Sequence, residues 1–164
     1  MSNLRKFLRD QHELILQCGG LPTVDGGKTS IPGWILDHGM DFTYQPLPSD
    51  YRYGEVKHCF MNSFNLMMSN PDLIYCEGYG SGIIPVHHAW CITRDGEVID
   101  STWRPDMVCD GTFLGVPMDR EFVYESVMCN GWYGILDNWE GRWPVLTGEI
   151  PLEEVLCRDI QRPC

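Results

Sequence analysis

The stretch 58–103, HCFMNSFNLMMSNPDLIYCEGYGSGIIPVHHAWCITRDGEVIDSTW, constrains the fold most, because its apolar period changes partway along. Phe60, Phe64, Met67 and Met68 lie on one side of a helix, and Pro71 stops it, so the spacing predicts a helix over Cys59–Ser69. Strand patterns follow at Leu73–Glu77, Pro85–Thr93 and Glu97–Trp103, with GYGSG as a flexible turn between the first two. Arg94-Asp95-Gly96 joins the last two as a hairpin. The expected class is α+β, with the helix packed on an antiparallel sheet and the whole chain, 1–164, forming one compact domain.

Three residues in this stretch can act together. Cys59 starts the helix, His88 lies early in the second strand, and Asp100 lies late in the third. A thiol, an imidazole and a carboxylate can serve as nucleophile, base and orienting group. A helix N-terminus favours a thiolate, and its unpaired N–H groups suit a developing oxyanion. The hairpin turn decides which histidine meets Asp100. A two-residue turn, Asp95-Gly96, sets Asp100 opposite Cys91 and on the face of His87. A three-residue loop with Gly96 left-handed pairs Trp90 with Asp100 and His88 with Thr102. His88 and Asp100 are then diagonal neighbours, about 7–8 Å apart at the backbone. The sequence admits both turns.

Elsewhere the signals are plainer. Ser2–Gln17 reads as a helix, capped by Ser2 and ended by Gly19-Gly20, with His12 on its solvated side. LPTVDGGKTSIPG reads as a loop; GGKTS lacks the first glycine of a phosphate-binding loop, Leu21 standing there, and no strand precedes it. Trp34–His38 suits a short helix or strand, Phe113–Met118 a strand, and Glu121–Met128 either. Pro151–Cys157 has the proline and acidic first turn of a short helix.

Charge narrows the partners. The net charge is -11, which opposes binding to nucleic-acid backbones and to anionic membranes. No signal peptide or stretch of about 18 apolar residues is visible, so the expected location is the cytoplasm. The eight cysteines contain no C-x-x-C pair and are expected to be reduced, nearly all as small buried hydrophobes.

The pattern C-F-x-N on a helix, H-A-W on a strand and I-D-S-T-W on the next resembles the core of the transglutaminase-like branch of papain-fold cysteine enzymes. It is also similar to short bacterial and phage proteins with Y-x-E-G before H-A-W, here Tyr75, Glu77 and Gly78. The resemblance covers residues 53–117. It implies a papain-like core with Cys59 as nucleophile, His88 as base and Asp100 as orienter. Two features depart from that pattern: Ser101 stands where a proline is common, and Tyr53 stands where papain-like proteases keep a glutamine oxyanion donor.

The activity this implies is thiol-dependent acyl chemistry: amide or peptide hydrolysis, or acyl transfer through a thioester. The substrate would be a protein, a peptide or a small amide, with no cofactor and no metal. Asn62, one helical turn after Cys59, and Tyr53, Glu77 and Trp90 are the candidates for substrate contact or oxyanion support. His87 is expected on the opposite face, in a structural or exposed role. Two rivals remain: a zinc site from Cys76, His87, His88 and Cys91, and a non-catalytic binding or inhibitor module of phage type on the same fold.

Overall fold

The computed structural model describes residues 3–160, so the Ser2 cap lies outside the described residues. Helix α1 (Asn3–Gln17) buries Leu4 and Leu8 and ends at Gly19 and Gly20, both with positive φ. Strands β1 (Leu21–Pro22) and β2 (Lys28–Thr29) pair as a small hairpin where a loop was expected. Ser30 then caps helix α2 (Ile31–His38) by accepting from the Gly33 N–H at 3.1 Å. His12 is half-buried rather than fully solvated: its Nδ1 lies 2.8 Å from Ser30 Oγ, and its ring fills the space a Gly33 side chain would need.

Strand β3 (Met40–Thr43) leads through a long loop to helix α3 (Cys59–Ser69), whose bounds match the sequence pattern. Strands β4 (Ile74–Ser81), β5 (Pro85–Ile92), β6 (Val98–Ile99) and β7 (Thr112–Pro117) follow. Helices α4 (Arg120–Asn130), α5 (Pro144–Thr147) and α6 (Leu152–Val155) complete the chain.

Among the described residues, one antiparallel sheet runs in the order β3-β7-β4-β5-β6. Its edges, β3 and β6, line the same depression of about 600 Å³, so the sheet curls until its edges face each other. The concave side encloses Phe42, Ile74, Cys76, Trp90, Ile92, Val98 and Phe113. On the convex side Tyr75, Ala89, Cys91, Leu114 and Val116 pack against Leu4, Leu8, Phe64 and Met67 of the helices. No helix among the described residues is long and apolar enough to cross a membrane.

Two strands differ from expectation. GYGS is no turn; it continues β4, between β5 and β7. Glycine is required there, because a Cβ on Gly78 would lie 2.1 Å from the Leu114 carbonyl oxygen. Strand β6 is only two residues long, and the chain leaves the sheet at Asp100.

Helix α4 settles the ambiguous 121–128 pattern. Asp119 caps it, accepting from Glu121 and Phe122 N–H groups, and Gly131 closes it in the left-handed conformation. Asp119→Ala should cost about 1 kcal/mol. Urea unfolding reads this directly, and an unchanged midpoint would mean the cap contributes nothing.

Candidate active site

The turn between β5 and β6 has three residues. Cys91 pairs with Ile99 and Ile92 with Val98, the Thr93 N–H donates to Glu97 O at 3.0 Å, and Gly96 has φ 84°. This is the register that puts His88 and Asp100 on one face, the concave one. Their contact is 2.7 Å, from His88 Nε2 to Asp100 Oδ2. The other carboxylate oxygen accepts from the Thr102 and Trp103 N–H groups at 2.8 and 3.0 Å. That turn explains why β6 is short: Asp100 bends the chain away while holding His88.

The imidazole is enclosed. It stacks on Trp103 at 4.3 Å and on Trp90 at 6.0 Å, and Phe113 meets it edge-on. Residue exposures are 1% for His88 and 0% for Asp100. Burial by itself pushes the ring's pKa down. The Asp100 carboxylate, by charge and hydrogen bond, and then Cys59 outweigh it and raise the ring from 6.5 to about 9. That balance favours the charged ring.

Cys59 comes from the helix layer, on the other side of the sheet. It reaches His88 because β6 stops early and leaves the β5 edge open. The first turn of α3 stands at that edge: Phe60 packs on His87 at 5.1 Å, and Asn62 Nδ2 donates to Thr102 Oγ1 at 2.9 Å. Cys59 is a hydrogen-bonding neighbour of the His88 ring, though short of a well-aligned bond. Looseness of this kind is common before a substrate is bound. With Nε2 taken by Asp100, Nδ1 is the nitrogen left for the thiol.

The two ends of α3 differ. At its C-terminal end the Arg120 guanidinium donates to the carbonyls of Met67, Met68 and Asn70. At its N-terminal end no side chain caps the helix, and Lys57, two residues before Cys59, holds a left-handed φ of 69°. The N–H groups beside Cys59 are thus left free for an anion.

The supporting residues fall in other places. Asn62 is buried and spends its amide on Glu55 O and Thr102 Oγ1, so it ties the preceding loop to the site and is no free oxyanion donor. The loop has little slack, since a Cβ on Gly54 would meet Asn62 Oδ1 at 2.4 Å. Tyr53 is partly exposed, with Arg104 over its ring at 5.3 Å. Trp90 lies inside the curled sheet at 0% exposure, out of a substrate's reach, and its indole N–H has no partner among the described residues.

Glu77 is the largest departure from the sequence reading, which made it a solvated or cleft-lining charge. It has 0% exposure. Its carboxylate accepts from the Ile135 and Leu136 N–H groups at 2.8 and 2.9 Å and from the Tyr75 hydroxyl at 3.1 Å. His87 Nε2 stands 3.0 Å from Glu77 Oε1, as an ion-pair contact rather than an aligned hydrogen bond. Glu77 therefore clamps the segment after α4 onto the convex face. The signal was available: Glu77 shares the strand face of Tyr75, beneath the helix layer.

The proposed zinc ligands do not converge. Cys76 and His88 lie on the concave face, whereas His87 and Cys91 lie on the convex face. Among the described residues no three His, Cys, Asp or Glu side chains are grouped to hold a metal. The cysteines also differ from expectation. Cys59, Cys76 and Cys91 are buried, but Cys18, Cys109 and Cys129 are exposed and Cys157 is half-buried; all seven are free thiols. Burial raises the pKa of Cys76 and Cys91, which keeps them protonated.

The site is closed. Cys59 is 8% exposed, His88 1% and Asp100 0%. Comparison of the chain with protein-family models, with curated proteins and with solved structures finds no match.

Proposed function

We propose that this chain is a thiol-dependent acyl enzyme of the transglutaminase-like, papain-fold kind, with Cys59 as nucleophile, His88 as base and Asp100 as orienter. The observation that carries the reading is the His88 imidazole, held through Nε2 by Asp100 and bordered by the Cys59 thiol. In the reaction, Cys59 as thiolate attacks an acyl carbon and forms a tetrahedral oxyanion near the free N–H groups of the α3 first turn. Collapse gives the thioester, and the His88 imidazolium passes its proton to the departing amine. Water, or a second amine, then attacks the thioester while neutral His88 takes the incoming proton, and the thiol is regenerated. We favour hydrolysis, because water is always present, with a protein, peptide or small amide as substrate.

A second reading is a binding or inhibitor module that keeps the fold without turnover. The enclosure of Cys59, His88 and Asp100 favours it.

Limiting iodoacetamide at neutral pH separates the two. Three cysteines, Cys18, Cys109 and Cys129, are far more accessible than Cys59. Under the enzyme reading Cys59 is nonetheless labelled ahead of them, and p-nitrophenyl acetate leaves an acetyl group on Cys59 detectable by mass spectrometry. Labelling confined to the exposed thiols, with no acyl adduct on Cys59, would sink the enzyme reading and leave the binding module.

A further inference from the structure

We propose that the depression between Trp132 and Trp139 binds an organic ammonium group. The depression has a volume of about 430 Å³, and Asn130, Asp137, Asn138 and Glu140 join the two tryptophans in lining it. Trp132 is 52% exposed and Trp139 58%. Tryptophan is usually well buried, and two half-exposed indoles sharing one concavity are not scattered surface residues.

Charge selects the ligand. No lysine or arginine lines the depression. Among the described residues the ion pairs lie elsewhere and leave Asp137 and Glu140 unpaired. Among the described residues the cation over an aromatic ring is Arg104 on Tyr53, and neither indole face carries one. Aromatic faces beside carboxylates attract a soft cation more strongly than either group alone. A neutral sugar would use the indoles but would gain nothing from two uncompensated carboxylates. A second recess of about 30 Å³, with Ile135 and Val145 in its lining, shares Trp132, Asn130 and Asn138 with the depression. It has room for about one methyl-sized group, which suits an N-methylated ammonium.

The walls are preorganised. Glu77 pins Ile135 and Leu136 from below. Asn138 holds the Trp139 loop twice, accepting from Gly141 N–H at its side chain (2.9 Å) and from Trp143 N–H at its carbonyl (2.8 Å). Arg142 and Trp143 both keep left-handed φ values, 59° and 54°. Such residues cost about 1–2 kcal/mol each, and strain of this kind gathers at ligand clamps. The inference is independent of any chemistry at Cys59.

The probes are choline and dimethylbutanol, its uncharged isostere, followed through the indole N–H signals of Trp132 and Trp139 in NMR. Trp132→Phe and Trp139→Phe assign those signals. Choline should shift both saturably, and dimethylbutanol should bind at least about tenfold more weakly. The Asp137→Asn, Glu140→Gln double variant should also lose about tenfold in choline affinity. Equal binding of the alcohol, a saturable response to methyl glucoside exceeding that to choline, or no saturable shift with choline would each overturn the proposal. The probe comparison uses the unaltered chain, so a folding defect in the variant cannot obscure it.

Discussion

Glu77→Ala should lower the unfolding free energy by about 3–5 kcal/mol, the combined cost of leaving two buried backbone donors without an acceptor. With a urea dependence of about 2 kcal/mol per molar, the midpoint falls by about 2 M. The reason is the number of groups left behind. The Ile135 and Leu136 N–H groups lose their only acceptor shown, in a site with no exposure. Each buried orphan of this type costs about 1–3 kcal/mol. Tyr75 suffers less, because its hydroxyl can donate instead to Tyr133 O, 3.2 Å away. Glu77→Gln keeps the shape but turns an amide N–H₂ toward one of the two donors, so it should recover only part of the loss. Hydrogen exchange localises the effect: amides of 133–137 should lose protection before those of β4 and β5. A loss under about 1 kcal/mol would show that the clamp carries little and that this segment is held by its apolar contacts alone.

The same clamp shows where sequence reading stopped. The bounds of helix α3 were legible to the residue, since Phe60, Phe64 and Met67 share one stripe and Asn70-Pro71 ends it, but Met68, read onto the same side, is 40% exposed. Strand β4 was not. Its four residues Gly78, Tyr79, Gly80 and Ser81 look like a turn, because glycine weakens an isolated strand. Here glycine marks close approach. A Cβ on Gly80 would lie 2.7 Å from the Trp103 ring, and one on Gly78 would strike the β7 backbone. Such constraints come from partners distant in sequence, and no local pattern carries them. For Glu77 the alternation with Tyr75 carried its burial, but not what it would hold. Its partners, Ile135 and Leu136, lie beyond three more strands and a helix.

The hairpin was half legible. Gly96 and the alternation around it allowed two registers that differ by one residue, and one residue exchanges His87 for His88. The sequence could not choose between them, because both place a histidine near Asp100. Long-range packing chose. Trp90, Ile92 and Val98 must enter the concave core together, and only the three-residue loop puts all three on that face. The route from Cys59 to His88 was not legible at all. It depends on β6 stopping at Ile99, and that depends on Asp100 spending one oxygen on Thr102 and Trp103.

Asp100→Asn should leave the fold intact and slow iodoacetamide labelling of Cys59 at neutral pH by at least about tenfold. The argument is one of tautomers. In the variant the amide oxygen stays with the Thr102 and Trp103 N–H groups, since only an acceptor suits them. The amide N–H₂ must then face His88 Nε2, which has to accept. The proton moves to Nδ1, the nitrogen that should receive one from Cys59, and the ring can no longer act as base. In a serine-protease triad the same change costs about 10⁴ in turnover; a cysteine site starts from a more acidic nucleophile and loses less. His88→Ala should slow labelling as much, and His87→Ala should leave it within about twofold, because the Asp100 carboxylate holds His88 whereas His87 is engaged with Glu77. The pH dependence of stability is a second readout. His88 is raised from 6.5 to about 9 in the folded chain, so its contribution is fully present below pH 6.5 and is lost as pH rises through about 9. The urea midpoint should therefore fall across that window, and the fall should be shallower in Asp100→Asn, where no carboxylate holds the imidazolium. If His87→Ala slows labelling and His88→Ala does not, the base is His87 and the Asp100 pairing is structural. If all three variants label as fast as wild type, Cys59 has no imidazole partner and the acyl-enzyme reading fails.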